Sequence, residues 1–220
     1  MKSIVVSSLL SLGLLASQAA EAITIKWQGV DAAGVKLSTA DGTATTSGYS
    51  TTALNYTYVA TNESFLAYCI EPSQGNGRAG IAREYDVGGF TGVQAQHLQA
   101  LFSTSYASLS TYNDKAAFQL ALWELVRETG TTMDFSSGSF KLTSTDANSV
   151  AVSTLANSFL SNALAYTGPA KYELTRLSNS TLQDLVVATP LAAVPEPESY
   201  ALFLAGLGAI GLIARRRLPR

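Results

Sequence analysis

A single cysteine, Cys69, in a chain of 220 residues rules out an intramolecular disulfide. With one histidine beside it in the whole sequence, a zinc site built from Cys and His is excluded too. The chain must hold its fold by burying apolar surface. It has the means: 47% of its residues are hydrophobic and only 14% charged, which excludes a disordered chain. Lys and Arg number 14 against 16 Asp and Glu, so no basic excess exists to neutralise a phosphate backbone, and nucleic acid is not an expected partner. Gly75-Asn76-Gly77 lacks a following Lys-Ser/Thr and reads as a turn, not a phosphate loop. No metal and no cofactor is expected.

The two ends read as addresses. Lys2 precedes an apolar run from Ile4 to Leu15, and small residues follow from Ala16 to Ala22. Residues 1–22 thus have the three parts of a secretory signal peptide, with cleavage after Ala19 or Ala22 both compatible. At the other end, Val194-Pro195-Glu196-Pro197-Glu198 forms a stiff turn. Ser199 to Ala214 is free of charge, and Arg215-Arg216-Arg217 follows. As a helix, that run spans about 24 Å, short of the roughly 30 Å hydrocarbon core, and crosses only if the bilayer thins or the arginines snorkel. Positive charge behind it places the C-terminus in the cytoplasm.

Pro195, Glu196 and Pro197, then the apolar segment, then Arg215, Arg216 and Arg217, resemble the PEP-CTERM sorting signal of Gram-negative bacteria, over residues 194–220. The resemblance implies an exosortase as processing partner and transient anchoring through the C-terminal helix. It also implies release to the cell surface or an exopolysaccharide and biofilm matrix.

Residues 23–193 remain as one domain, large enough to bury a core without staples. Losing both ends leaves nine basic and thirteen acidic residues, a net charge near −4. Strands are predicted at Ile23–Trp27, Leu54–Val59 and Ser64–Ile70 by alternation and β-branching, with exposed hairpins across the Thr/Ser/Gly-rich stretch Ser38–Thr52. Helices are predicted at Val93–Phe102, at Asp114–Thr129 with Asn113 or Asp114 as N-cap and Gly130 past its end, and at Asp146–Ala163. The third has Val150, Leu155, Phe159 and Ala163 as its apolar positions. Strands return at Lys171–Leu177 and Gln183–Ala188. Strands, helices, then strands predict an α+β fold: an antiparallel sandwich or barrel-like sheet with an inserted part of about three helices.

On a helical wheel, Phe118, Ala121, Leu122, Leu125 and Val126 form an apolar arc with Trp123 at its edge. Gln119 falls inside the arc, whereas Glu124, Arg127 and Glu128 face away. A buried amide without partners costs roughly 1–3 kcal/mol, so something must satisfy Gln119. Tyr68-Cys69-Ile70-Glu71-Pro72 closes an apolar strand before the flexible stretch Ser73 to Gly77, and in an exported chain an unpaired thiol is exposed to oxidation. One reaction accounts for both: the thiol attacks the Gln119 carbonyl, ammonia leaves, and a thioester remains.

Phe118-Gln119-Leu120-Ala121-Leu122-Trp123, with Tyr68-Cys69-Ile70 upstream, resembles the two motif blocks of bacterial surface thioester domains. Many of those have Thr before the Gln; here the residue is Phe118. The resemblance implies a Cys69–Gln119 cross-link supported by Tyr68, Phe118, Ala121 and Trp123, and covalent attachment to an amine or other nucleophile on a surface or matrix component. Such chemistry is spent once, so the protein is not expected to be an enzyme. The rival is a non-covalent matrix or adhesion protein; a hydrolase acting on exopolysaccharide would need an acid pair that the sequence does not reveal. His97 reads as a surface or capping histidine or a general base, and Glu71 as a solvated turn residue or one that orients the site.

Overall fold

Alternating β-branched and aromatic residues build a sheet that closes on itself. A computed structural model describes residues 21–31, 34–42, 44–129, 132–192, 204–207 and 210. Residues 1–20 of the signal segment lie outside these, as do Pro195, Glu196, Pro197, Arg215, Arg216 and Arg217. No helix among the described residues is long and apolar enough to cross a membrane.

The strands are β1 (Ala22–Val30), β2 (Val35–Asp41), β3 (Ala44–Thr51), β4 (Leu54–Tyr58), β5 (Ser64–Cys69), β6 (Ala82–Gly88), β7 (Phe140–Leu142), β8 (Tyr172–Ser178) and β9 (Leu185–Pro190). Six of them close an antiparallel barrel in the order β1-β4-β5-β9-β8-β6, and β3-β2-β7 form a second sheet. The helices α1 (Gly92–Ser105), α2 (Tyr112–Arg127) and α3 (Ala147–Leu164) fall between β6 and β8 in the chain. The fold is α+β, with the helical part inserted into the barrel sequence.

Register decides what fills the barrel. Residues directly opposite share a face, and Trp27↔Tyr56↔Phe65, Ala67↔Val187 and Cys69↔Leu185 lie opposite one another. Tyr56, Ala67, Cys69 and Leu185 therefore point inward, and all are buried. Tyr68 points outward, against the helices. Asn62 holds the β4–β5 turn at a φ of 59°, a left-handed conformation that Asn tolerates better than most residues. Both ends of the domain leave from the same pole. β9 begins beside Cys69 and runs away from it to Pro190. β1 starts at Ala22 and approaches the Cys69 end only at Val30, beside Leu54.

Helix α2 is the spine of the interior. Every residue from Ala116 to Leu125 is buried. Its N-cap is Thr111, not Asn113 or Asp114. The Thr111 hydroxyl accepts the Asp114 N–H at 3.1 Å, and the Asp114 carboxylate accepts the Thr111 N–H at 2.8 Å, a reciprocal capping box. It ends at Arg127 with Glu128 as C-cap, two residues short of the expected end. Thr111→Ala should lower stability by about 1 kcal/mol, read as a lower urea midpoint at unchanged slope.

Several expectations are corrected. Glu124 does not face solvent; it is 0% exposed. Neither carboxylate oxygen has a hydrogen-bond partner at ordinary distance. Burial first, then the nearby Glu128, pushes its pKa up to about 8, against a favourable contribution from the Asp134 backbone N–H. The stretch from Ser38 to Thr52 is not simply exposed hairpin: it contributes to the second sheet, where Thr39 and Thr51 are buried. On α3 the buried positions are Val152, Ala156, Leu160 and Ala163, while Val150 is exposed and Leu155 and Phe159 only partly buried. Strands β6 and β7 and the Val35–Leu37 start of β2 are additions to the sequence reading, and in β2 Val35, Leu37 and Thr39 alternate inward.

Candidate functional site

Cys69 is the last residue of β5, at the mouth of the barrel. On one side β9 covers it, with Leu185 opposite and the Ile70 N–H donating to the Asp184 carbonyl. On the other side the β4 ladder stops at Leu54↔Ala67, before reaching Cys69. Helix α2 fills that gap with one side chain. The Cys69 N–H donates to Gln119 Oε1 at 3.2 Å, and Gln119 Nε2 donates to the Cys69 carbonyl at 2.7 Å. The amide thus takes the place of a strand partner. Gln119 is 1% exposed, and both of its polar atoms are satisfied by Cys69.

Two ion pairs fix α2 at its ends and so fix Gln119. Lys115 pairs with Asp31, just past β1, and Arg127 Nε meets Asp41 of β2 at 2.6 Å. Between them, aromatic packing sets the spacing of α2 from the barrel. Tyr68 and Phe118 meet edge to face at 5.0 Å, and Phe118 meets Phe102 in the same way at 5.0 Å. Ala121 is fully buried, and its small side chain suits close packing on this buried helix. Trp123 packs against Phe140 at 6.2 Å.

The Cys69 sulfur is enclosed. Burial pushes its thiol up to about 12; the Glu71 backbone N–H and the Trp123 indole N–H oppose this, while the charges of Glu71 and Asp184 add to it. At neutral pH the group is a neutral thiol. Burial disfavours a thiolate here, whereas a neutral thioester carries no such penalty. The carbonyl carbon of Gln119 sits one bond from the two atoms clamped to the Cys69 backbone. Charge developing on Oε1 during attack would meet the Cys69 N–H already in place.

The structure brings Cys69, Gln119, Tyr68, Phe118 and Trp123 together. His97 is half-buried on α1 and makes no hydrogen bond or ion pair among the described residues. Glu71 follows the site directly and accepts a long hydrogen bond from the Ser73 hydroxyl at 3.5 Å. No group of His, Cys, Asp and Glu among the described residues could hold a metal ion. Sequence reasoning missed the polar ring at the barrel mouth. The Tyr56 hydroxyl donates to Asn76 Oδ1 at 3.0 Å, Gln183 Nε2 donates to the same oxygen, and Tyr85 lies beside Tyr56. Burial pushes both tyrosines upward, so they stay protonated donors.

Residues 193–217 match the PEP-CTERM protein-sorting motif. That motif implies processing by an exosortase, export, and a surface or extracellular destination. No curated protein sequence matches the chain. Among solved structures, the N-terminal domain of the Streptococcus pyogenes pilus tip adhesin Cpa is similar at 14% identity, covering 76% of this chain and 99% of that one, with a TM-score of 0.44. The N-terminal thioester domain of a surface protein from Clostridium perfringens is similar at 13% identity, covering 63% of this chain and 89% of that one, with a TM-score of 0.41. Of these two, one is part of a pilus adhesin and the other a thioester domain of a surface protein.

Proposed function

We propose that the domain 23–193 of this exported protein forms an internal thioester between Cys69 and Gln119 and uses it for a single covalent attachment. The observation that carries this is the two-point clamp of the Gln119 amide on the Cys69 backbone. In formation, the sulfur bonds to the Gln119 side-chain carbon, the carbon–nitrogen bond breaks, and ammonia leaves with the thiol proton. In attachment, a primary amine nitrogen bonds to that carbon, the carbon–sulfur bond breaks, and a proton from the amine passes to the sulfur to restore the thiol. The acyl group is consumed, so the protein acts once and does not turn over. The target is an amine-bearing component of a surface or of a biofilm matrix around a Gram-negative cell, reached after transient anchoring through the tail.

A second reading rests on the same clamp. Two hydrogen bonds satisfy Gln119 without any covalent bond, so the amide can serve only to cap the open edge of β5. The protein would then be a non-covalent matrix or adhesion component.

Intact mass of the exported, mature protein separates the two. The first reading expects a mass one ammonia below that of the sequence, and methylamine should then add one methylamine at Gln119. Alkylation must be read on the acid-denatured chain, because a buried thiol resists reagents in the native state whether or not the bond exists. A full sequence mass with Cys69 quantitatively alkylated, in a sample prepared without exposure to amines or alkali, would overturn the thioester.

A further inference from the structure

The segment between β5 and β6, residues 71–80, crosses the barrel mouth directly after Cys69. Its far end is tied down where the Gly80 N–H donates to the Trp27 carbonyl at 2.8 Å. Its near end turns the Glu71 N–H toward the Cys69 sulfur. Midway, Asn76 Oδ1 accepts from the Tyr56 hydroxyl at 3.0 Å and from Gln183 Nε2. The Gln183 N–H also donates to the Gly75 carbonyl at 3.1 Å. Gly77 packs so closely that a Cβ there would meet Leu182 Cδ1 at 3.2 Å. The outer side of the segment is different: Ser73, Gly75, Arg78, Ala79 and Gly80 are exposed.

A nucleophile has to reach a sulfur whose residue is 5% exposed. Helix α2 and β9 are held by core packing and by ladder bonds, which are costly to break. The 71–80 segment has no regular secondary structure, and its centre is held by two bonds to Asn76 Oδ1 and one from the Gln183 N–H to the Gly75 carbonyl. Segments with few buried apolar contacts open at lower free energy than a core helix.

We propose that the 71–80 segment is the gate through which nucleophiles reach Cys69, and that Asn76 is its latch. As a gate for covalent attachment it rests on the thioester reading; as a cover over the sulfur it does not. Opening breaks the bonds from Tyr56 and Gln183 to Asn76 and that from the Gln183 N–H to Gly75. It bares the sulfur between α2 and β9 while leaving α2 held by its ion pairs to Asp31 and Asp41. The latch keeps the acyl group from water until a partner is close, and it favours amines carried on a chain slender enough to enter the mouth.

The test uses the mature protein and three variants: Asn76→Ala, Tyr56→Phe, and Asp146→Ala. The last removes the α3 N-cap, whose side chain accepts hydrogen bonds only from Asn148 and Ser149 among the described residues, and reports nonspecific loosening. Native protein is treated with methylamine and, separately, with iodoacetamide, and labelling is followed by mass. Methylamine reads the gate on molecules with a thioester, and iodoacetamide reads it on molecules with a free thiol. A failure of the thioester reading therefore still leaves the gate measurable. Asn76→Ala should speed labelling about tenfold, since two modest hydrogen bonds are lost. Tyr56→Phe, which keeps the ring, should give a smaller rise, and it carries the test if Asn76→Ala fails to fold. Equal rates in the wild type and both mouth variants would overturn the gate, as would an Asp146→Ala rate as high as that of Asn76→Ala.

Discussion

Gln119→Ala is expected to lower the free energy of unfolding by about 2–4 kcal/mol and to abolish covalent attachment. The two losses have different origins. Against the form with an intact Gln119 amide, the stability loss arises because the Cys69 N–H and carbonyl lose their only partner on the side where β4 has ended. A buried backbone donor and acceptor left unmade cost more than the bonds themselves contributed. Cys69→Ala forms no thioester, so Gln119 keeps its amide and the clamp; against the free-thiol form it removes one sulfur atom from the core and should cost only about 1 kcal/mol. It should abolish attachment as completely. The pair of variants thus separates scaffold from chemistry: equal loss of attachment with unequal loss of stability, read by urea unfolding and by intact mass. If Gln119→Ala is no less stable than Cys69→Ala, the amide is not the edge cap described here.

The second large effect is a pH dependence from Glu124. Its carboxyl is completely buried in α2, with its pKa raised from 4.5 to about 8. The folded state therefore holds a proton that the unfolded state has already released. Stability is fully present below about pH 4.5, declines as pH rises from there, and reaches its lower plateau above about pH 8. The decline is on the order of a few kcal/mol. Glu124→Gln keeps the shape and cannot ionise. It should flatten the profile and be the more stable protein at about pH 9, by comparison of urea midpoints with those at about pH 5. A variant that keeps the wild-type slope would show that Glu124 is not the titrating group.

The same residue shows why part of this fold was hidden. A helical wheel separates an inner face from an outer one, and α2 has no outer face. With the barrel on one side and β3, β2 and α3 around it, Glu124 is as enclosed as Phe118, and no periodicity announces that. Helix α3 misled in a milder way. Apolar residues lie on more than one face of it: Val150 is exposed and Val152 buried, so residue type alone did not mark the core stripe of Val152, Ala156, Leu160 and Ala163. What was legible had chemistry or strong alternation behind it. Ile23–Trp27, Leu54–Val59 and Ser64–Ile70 read as strands from their β-branched and aromatic residues, and Gln119 read as an inward amide from its neighbours. The mouth could not be read. Tyr56, Asn76 and Gln183 come from three distant segments, and only the closure of β1-β4-β5-β9-β8-β6 sets them around one oxygen.

Both ends of the domain depart from the pole opposite Cys69, and this makes the barrel a mechanical element as well as a scaffold. Hold the tail at a membrane or matrix and bind a partner at the mouth. The line of tension then runs from pole to pole, along the strands and not across them. Between β5 and β9 it loads the bonds around Tyr68↔Val186 and the bond from the Ile70 N–H to the Asp184 carbonyl in shear, all together, where a pull across the strands would unzip them one at a time.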